Sequence, residues 1–262
     1  MHIHFIVDND PVLQKLSDEL SKINTVTFSD EQMSQDIDFV VVSKSISDND
    51  LRLQKAKNLQ LNLLSHTEFI YEYFKNQTRV VIASGSGKAS VTAMVLHVMA
   101  YYDNPVSYFT ENQSNERLFN FSEDAEFTII ETDENTIANS TSQADFFHPT
   151  VILIDSNLTD KNTEKYTALI NNITKGGILI YNQENQLVNQ IVSASENAVR
   201  KIAYQTPDYQ LIDNVIYLST DEGELPLENI TNQEVINVEG AKWLCQNMGI
   251  DAADFYQAMV SF

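Results

Sequence analysis

Residues 79–88 read RVVIASGSGK, an apolar run that passes through serines and glycines to a lysine. The run at 79–83 predicts a buried strand, and the following residues 89–102, ASVTAMVLHVMAYY, predict a helix. A strand, a short loop and a helix in this order can direct backbone N–H groups and the positive end of a helix dipole at an anion. This unit therefore predicts both an α/β fold and a candidate anion site.

Similar apolar runs recur on both sides of this unit, at residues 2–7, 38–42, 127–130, 151–154 and 178–181. They are continuous rather than alternating, which is typical of parallel strands buried on both faces. Helical patterns separate most of them, so we predict parallel sheets flanked by helices.

The chain divides into two predicted domains near Asn76. Residues 1–75 are expected to form a small Rossmann-like domain, and 76–262 a phosphate-loop-type domain with a mostly parallel sheet flanked by helices. Within the second, residues 209–218 predict an antiparallel hairpin, and residues 233–259 predict two closing helices. The polar segments at 111–124 and 135–145 are expected to be long loops.

Charge and composition exclude several classes of function. Lys and Arg number 16 against 37 Asp and Glu, so the net charge of −21 opposes binding to nucleic acid or to an anionic membrane surface. No apolar run approaches the roughly 20 residues of a membrane helix, and the N-terminus lacks the features of a signal peptide. The single Cys245 excludes an internal disulfide and is expected in the core. We predict a cytoplasmic protein.

The loop before the second domain's first helix allows two interpretations. Gly87 and Lys88 suit a phosphate-binding loop, but Ala89 has no oxygen for magnesium, and Ser90 would point about 100° further round the helix. Ile82 also stands where the full phosphate-loop pattern requires glycine. The segment is either a nucleotide site or a flexible turn with an exposed lysine.

An acidic segment, Glu131-Thr132-Asp133-Glu134, follows another predicted strand. Carboxylates at the carboxyl edge of a parallel sheet can hold Mg²⁺. The alternative is a solvated acidic turn in an acidic protein.

Taken in order, these features resemble the Mur ligase family, in particular the UDP-N-acetylmuramate ligases that add L-alanine or a muropeptide tripeptide. The resemblance also includes Asn237, the following GAKW at 240–243, and the ending DFYQAMVSF at 254–262. It implies a reaction in which ATP activates a carboxylate as an acyl phosphate that an amine then attacks. It also implies three domains, of which we expect this chain to lack the C-terminal ligase domain.

The resemblance implies where the family's ligands would lie. The positions that match its ATP site are Gly85, Gly87, Lys88, Ser90 and Asn237, and Glu134 matches its magnesium position. We expect these sites to be vestigial.

Several positions depart from the family pattern. Ser86 replaces a histidine of the loop, Ala89 replaces the magnesium-binding hydroxyl residue, and Lys161 replaces a histidine that serves a second metal. The glycine-rich turn of the UDP-sugar domain reads DNDP at 8–11, and a His-Asn pair reads Gln-Glu at 233–234. Two carboxylates and a proline in the first turn oppose the approach of a diphosphate.

We therefore predict a catalytically inactive Mur-ligase homologue that acts as a binding or regulatory protein linked to peptidoglycan precursor metabolism. It would have no catalytic residue and need no cofactor, and its partner would be another protein of cell-wall precursor synthesis. One alternative is an ATP- and Mg-dependent UDP-N-acetylmuramate amino acid or peptide ligase, truncated or completed by another chain. Another is a protein that binds nucleotide or muropeptide without chemistry.

Overall fold

The computed structural model describes residues 1–83, 87–109, 119–132, 148–154, 163–221 and 223–262. The chain folds into two compact α/β units. The first comprises Met1–Asn76 and Asn112–Phe121, of which residues 119–121 are described; the second comprises Gln77–Glu111 and Ser122–Phe262. The assignment of these units to named ligase domains, and the expected lack of a third domain, stay predictions.

The elements follow one another as strands and helices in close alternation. In chain order they are β1 His2–Ile6, α1 Pro11–Leu20, β2 Thr25–Thr27, β3 Phe39–Val42, α2 Leu51–Asn58, β4 Leu63–Ser65, α3 His66–Phe74, β5 Thr78–Ala83, α4 Lys88–Tyr101, β6 Val106–Phe109, β7 Phe119–Asn120, β8 Phe127–Thr132, β9 Val151–Ile154, α5 Thr163–Asn171, β10 Ile178–Asn182, α6 Gln186–Ala194, β11 Arg200–Tyr204, β12 Tyr209–Ile212, β13 Val215–Thr220, β14 Gly223–Leu227, α7 Val235–Gln246 and α8 Ala252–Met259.

The first unit is built on a parallel sheet with the strand order β2-β1-β3-β4. Helix α1 buries Leu13, Leu16 and Leu20, whose spacing of three and four residues places them on one face. Asp10 and Pro11 begin this helix, as an N-cap followed by a proline at the first helical position. The carboxyl ends of these parallel strands therefore share one edge, from which α1 starts.

The second unit carries six parallel strands in the order β11-β10-β9-β5-β8-β6. Val80, Val81, Ile82 and Ala83 of β5 are all fully buried, as expected for a central strand. Helices α4, α7 and α8 pack together. A separate antiparallel sheet follows β11, with the order β12-β13-β14.

The structure confirms the predicted α/β class with mostly parallel sheets flanked by helices, and the antiparallel hairpin at 209–218. Strands β6, β11 and β14 were not predicted. In β11 only Ile202 and Tyr204 are buried, because the strand lies at the sheet edge and alternates with exposed residues. A search for continuous apolar runs cannot detect such a strand.

The loop predicted at 111–124 is wrong at residues 119–120, which form strand β7. Phe119 is 5% exposed, and Phe121 stacks on Phe74 with ring centroids 5.3 Å apart. Burial of these two aromatic rings outweighs the polar composition of the segment. The loop predicted at 135–145 lies outside the described residues.

Cys245 is fully buried in α7, and burial raises the pKa of its thiol. This confirms the prediction that Cys245 is a core residue.

Among the helices of the described ranges, none combines the length and the apolar character needed to span a bilayer.

The turn that leads into β10 has no space for a side chain at Gly177. A Cβ atom at Gly177 would lie 2.6 Å from the carbonyl oxygen of Thr150 and 2.7 Å from that of Thr174. We expect Gly177→Ala to lower the free energy of unfolding by about 2–3 kcal/mol, because backbone cannot move aside cheaply. Urea unfolding followed by circular dichroism measures this change.

Gly176 provides the matched control. Its φ is +80°, but no atom lies within 4 Å of an added Cβ, so Gly176→Ala should cost only about 1 kcal/mol of backbone strain. Equal losses in the two variants would contradict the steric argument.

Candidate functional site

The carboxyl edge of the second sheet brings three strand ends into register. Ala83 at the end of β5 is paired with Thr132 of β8 on one side and with Ile154 of β9 on the other. The chain therefore leaves β5 and β8 at adjacent positions, and α4 begins five residues after Ala83. This is the edge at which open α/β sheets bind ligands.

The predicted acidic turn is wrong for its first two residues, because Glu131 and Thr132 lie inside β8. Both are 1% exposed. The hydrogen-bonded ladder extends further than the apolar run of the strand, so the buried carboxyl group of Glu131 lies one residue before the end of β8. Glu134, the predicted magnesium ligand, lies outside the described residues.

Helix α4 presents its N-terminus at this edge. Gly87 is its N-cap, and no side chain makes a capping hydrogen bond there. Lys88 is the first residue of the helix and is partly buried, with electrostatic or hydrogen-bonding partners of its own, so it is not the freely exposed lysine of the alternative interpretation. N–H groups and the helix dipole at this position favour an anion. Gly85 lies outside the described residues.

A carboxylate from α7 approaches the first turn of α4. Glu234 accepts hydrogen bonds from the backbone N–H (3.1 Å) and the hydroxyl (2.6 Å) of Thr231, and a further one from Ser90. Burial raises the pKa of Glu234, but these hydrogen bonds outweigh it and leave the pKa below its usual range. Glu234 is therefore ionised at neutral pH beside the residue that was predicted to contact a cofactor.

Within the described ranges, two buried hydroxyl groups on these elements have no hydrogen-bond partner, those of Thr92 on α4 and Thr132 on β8. An unpaired buried polar group costs about 1–3 kcal/mol, so each has spare capacity for a bound water or ligand. Ala89 supplies no oxygen, however, and the described residues contain no group of three His, Cys, Asp or Glu side chains that could hold a metal ion.

Asn237 lies one turn after Glu234 on α7 and is 6% exposed. Its backbone N–H donates to the Glu234 carbonyl oxygen at 2.9 Å. Beside the start of this helix is a cleft of about 390 Å³ whose lining includes the amide side chains of Asn182 and Asn232. Asn237 lies near the start of α7, and Lys88 and Ser90 lie in the first turn of α4, which packs against α7. That these residues form one ligand site stays a prediction.

The equivalent edge of the first unit is closed by its own side chains. One oxygen of Asp10, Oδ1, accepts from the backbone N–H groups of Val12 and Leu13, both at 3.1 Å. The other, Oδ2, accepts from the Ser43 hydroxyl at 2.9 Å. The α1 N-terminus, where a phosphate would bind, is therefore occupied by an internal carboxylate.

Arg52 joins two loops at this edge. Its guanidinium group donates to both carboxylate oxygens of Asp8 at 2.9 Å and to Asp50 at 2.7 and 3.0 Å. These hydrogen bonds lower the pKa of Asp50 to about 2, and the two carboxylates raise that of Arg52. Because most N–H donors of this guanidinium group are used by the two carboxylates, few remain to bind a ligand.

A partly buried histidine, His66, lies near this edge. Burial lowers the pKa of His66 to about 4, and the positive charge of Lys44 adds to the effect, so His66 is neutral at pH 7. The edge thus carries three carboxylates, Asp8, Asp10 and Asp50, near the cations Lys44 and Arg52. This balance gives a diphosphate no net electrostatic attraction.

Comparisons with known proteins agree on one family. The UDP-N-acetylmuramate–L-alanine ligase of Buchnera aphidicola is 26% identical over 178 residues, covering 64% of this chain and 34% of the relative. That of Ruthia magnifica is 20% identical over 289 aligned positions, covering 100% of this chain and 60% of the relative. These relatives support the assignment of this chain to the Mur ligase family.

A solved Mur ligase shares the fold along the whole chain. The murein peptide ligase of Psychrobacter arcticus superposes with a TM-score of 0.74 at 14% identity, covering 100% of this chain and 68% of that one. No family model matches the chain. The chain spans between about a third and three-fifths of the length of the two curated Mur ligases compared.

Three features of this Mur ligase homologue were missed by sequence reasoning: the capping role of Asp10, the Arg52 ion pairs, and the Ser90–Glu234 contact. The first had a signal, because Asp followed by Pro is a helix-start pattern. Arg52 lies 44 residues from Asp8, and Ser90 still further from Glu234, so only the folded chain brings these pairs together.

Asp10 can be tested as a helix cap. We expect Asp10→Ala to lower the free energy of unfolding by about 1–2 kcal/mol, because two N–H groups of α1 lose their acceptor. Urea unfolding measures the loss. Asp48→Ala removes an equal charge from an exposed position and should change stability by less than about 0.5 kcal/mol. A similar effect of both variants would contradict the capping role.

The Arg52 ion pairs predict a pH dependence of stability. The pKa of Asp50 is lowered from 3.8 to about 2, so its contribution is present above about pH 4 and is lost as the pH falls towards 2. Arg52→Met should lower stability at neutral pH and flatten the loss over this window. Urea midpoints at several pH values measure it, with Arg200→Met as an exposed control. An unchanged pH slope in Arg52→Met would refute the assignment.

Proposed function

We propose that this Mur ligase family protein does not hold a UDP-sugar in its first unit and acts by binding rather than by ligation. The observation that supports the proposal most directly is the Asp10 carboxylate at the N-terminus of α1, where a diphosphate would need the same N–H groups. A phosphate would have to displace a hydrogen-bonded carboxylate and approach Asp8 as well.

The second unit supports the same proposal from a different direction. Ala89 supplies no ligand atom for magnesium, and the ionised Glu234 is hydrogen-bonded to Ser90 in the first turn of α4. The negative charge of Glu234 beside the first turn of α4 disfavours the binding of a triphosphate there. In this proposal the protein needs neither ATP nor Mg²⁺, and it binds another protein of cell-wall precursor synthesis.

One alternative has specific support, an ATP-dependent UDP-N-acetylmuramate amino acid or peptide ligase. Lys88 is at the first position of α4. In the described part of the chain this helix has no side-chain cap, and the buried hydroxyl of Thr132 at the same edge has no partner. The relatives named UDP-N-acetylmuramate–L-alanine ligase favour this function. ATP and Mg²⁺ would then be required, with Lys88 facing the phosphates.

Thermal-shift titrations separate these functions. We expect no shift with UDP-N-acetylmuramate and none with Mg-ATP, whereas a ligand at 100 times its Kd adds about 2.7 kcal/mol of stability. An active UDP-N-acetylmuramate–L-alanine ligase measured in parallel is the positive control.

Each contrary outcome has a distinct meaning. A rise in the melting temperature with UDP-N-acetylmuramate would refute the proposal that the Asp10 carboxylate blocks the ligand site of the first unit. A shift with Mg-ATP alone would favour a nucleotide-binding protein, and ATP hydrolysis or ligation would establish the alternative.

A further inference from the structure

A second cleft in the second unit lies away from the α4 N-terminus. It has a volume of about 750 Å³ and is enclosed by the segment after β11, the β13–β14 turn, the middle of α7 and the start of α8. This volume is in the range of small-molecule sites. The cleft lies along the side of α7 that carries Glu239, Lys242 and Trp243.

The floor of this cleft is an ion pair with a spare donor. Lys242 lies 2.7 Å from Glu239, and the side chains of both are only 15% exposed. The Lys242 ammonium also donates to the Tyr256 hydroxyl at 3.1 Å and lies 5.5 Å from the centre of that ring. Among the described residues these are its two hydrogen-bond partners, so one of its three N–H donors remains for a ligand.

The rim of the cleft has the opposite charge. Asp208 and Asp221 are exposed, and the backbone N–H of Ser219 donates to the Asp208 carbonyl oxygen at 2.8 Å, which ties the two rim segments together. Trp243 adds a partly buried indole to the wall. The lining thus combines a mostly buried ammonium donor, two exposed carboxylates and two aromatic side chains.

We propose that this cleft binds a free amino acid or a short peptide as a zwitterion. The ligand's carboxylate would accept from Lys242, its ammonium group would lie among the rim carboxylates, and its apolar part would pack on Trp243 and Tyr256. A purely anionic ligand such as a phosphate is disfavoured, because three carboxylates outnumber one ammonium group in the lining.

The site is distinct from the proposed nucleotide edge. Asn237 precedes Lys242 by five residues on α7, which places the two side chains about 140° apart around the helix. The inference does not depend on the proposed function, because the cleft shares no residue with Asp10, Arg52, Lys88 or Glu234.

Trp243 provides a direct readout, because it is the single tryptophan of the chain. The full chain is titrated with alanyl-leucine while indole emission is recorded. We expect a saturable change, and roughly tenfold weaker binding for the N-acetylated and for the C-amidated dipeptide, since each loses one charge-assisted contact. No saturable change up to about 10 mM, or equal binding of blocked and free peptides, would overturn the proposal.

Variants locate the two ends of the ligand. Glu239→Gln/Lys242→Met removes the floor donor without leaving a buried charge unpaired, and it should weaken binding of the free peptide at least about tenfold. Lys175→Met, at an exposed lysine, is the matched control and should leave binding unchanged.

Asp208→Asn/Asp221→Asn tests the mouth of the cleft. It should weaken binding of the free peptide but not of its N-acetylated form, which has no ammonium group to lose. Equal effects on both peptides would contradict the proposed orientation.

Discussion

Burial of parallel strands on both faces is the constraint on which the second unit depends. The four residues Val80 to Ala83 are fully buried, so β5 has no face on which to carry polar side chains. Most polar groups that could contact a ligand must therefore lie at strand ends and at the helix starts beside them. Register then aligns Ala83 with Thr132 and Ile154, and this alignment creates the edge where α4 begins.

The two units use the starts of their helices differently. Both α1 and α4 follow strands of parallel sheets, and each leaves N–H groups that need an acceptor. In α1 the Asp10 carboxylate supplies it, whereas α4 has only Gly87 at its cap. One helix start is thus capped by a side chain of its own segment, while the other has Glu234 nearby and, in the described part of the chain, no side-chain cap. The contrast explains why family membership alone does not transfer a ligand from one relative to another.

The Mur ligase fold is shared along the whole chain. Fold similarity at 14% identity survives because buried positions need only apolar residues of suitable volume. A ligand site, in contrast, depends on individual groups, so a single substitution can change what binds there. The cleft around Lys242 shows that the same scaffold also presents polar groups away from the family's known edge.

By itself the sequence determined the fold class, the central strands, and the position of Lys88 directly before a helix. These features are local, because they follow from continuous apolar runs and from the helical patterns next to them. It did not reveal β11, whose edge position leaves only alternate residues buried. Only the tertiary structure decided that Asp10 caps its own helix while Ser43 donates to it, that Arg52 reaches Asp8 across 44 residues, and that Ser90 contacts Glu234. Hydrogen bonds between distant residues depend on how the elements pack, and no local pattern of residues records that packing.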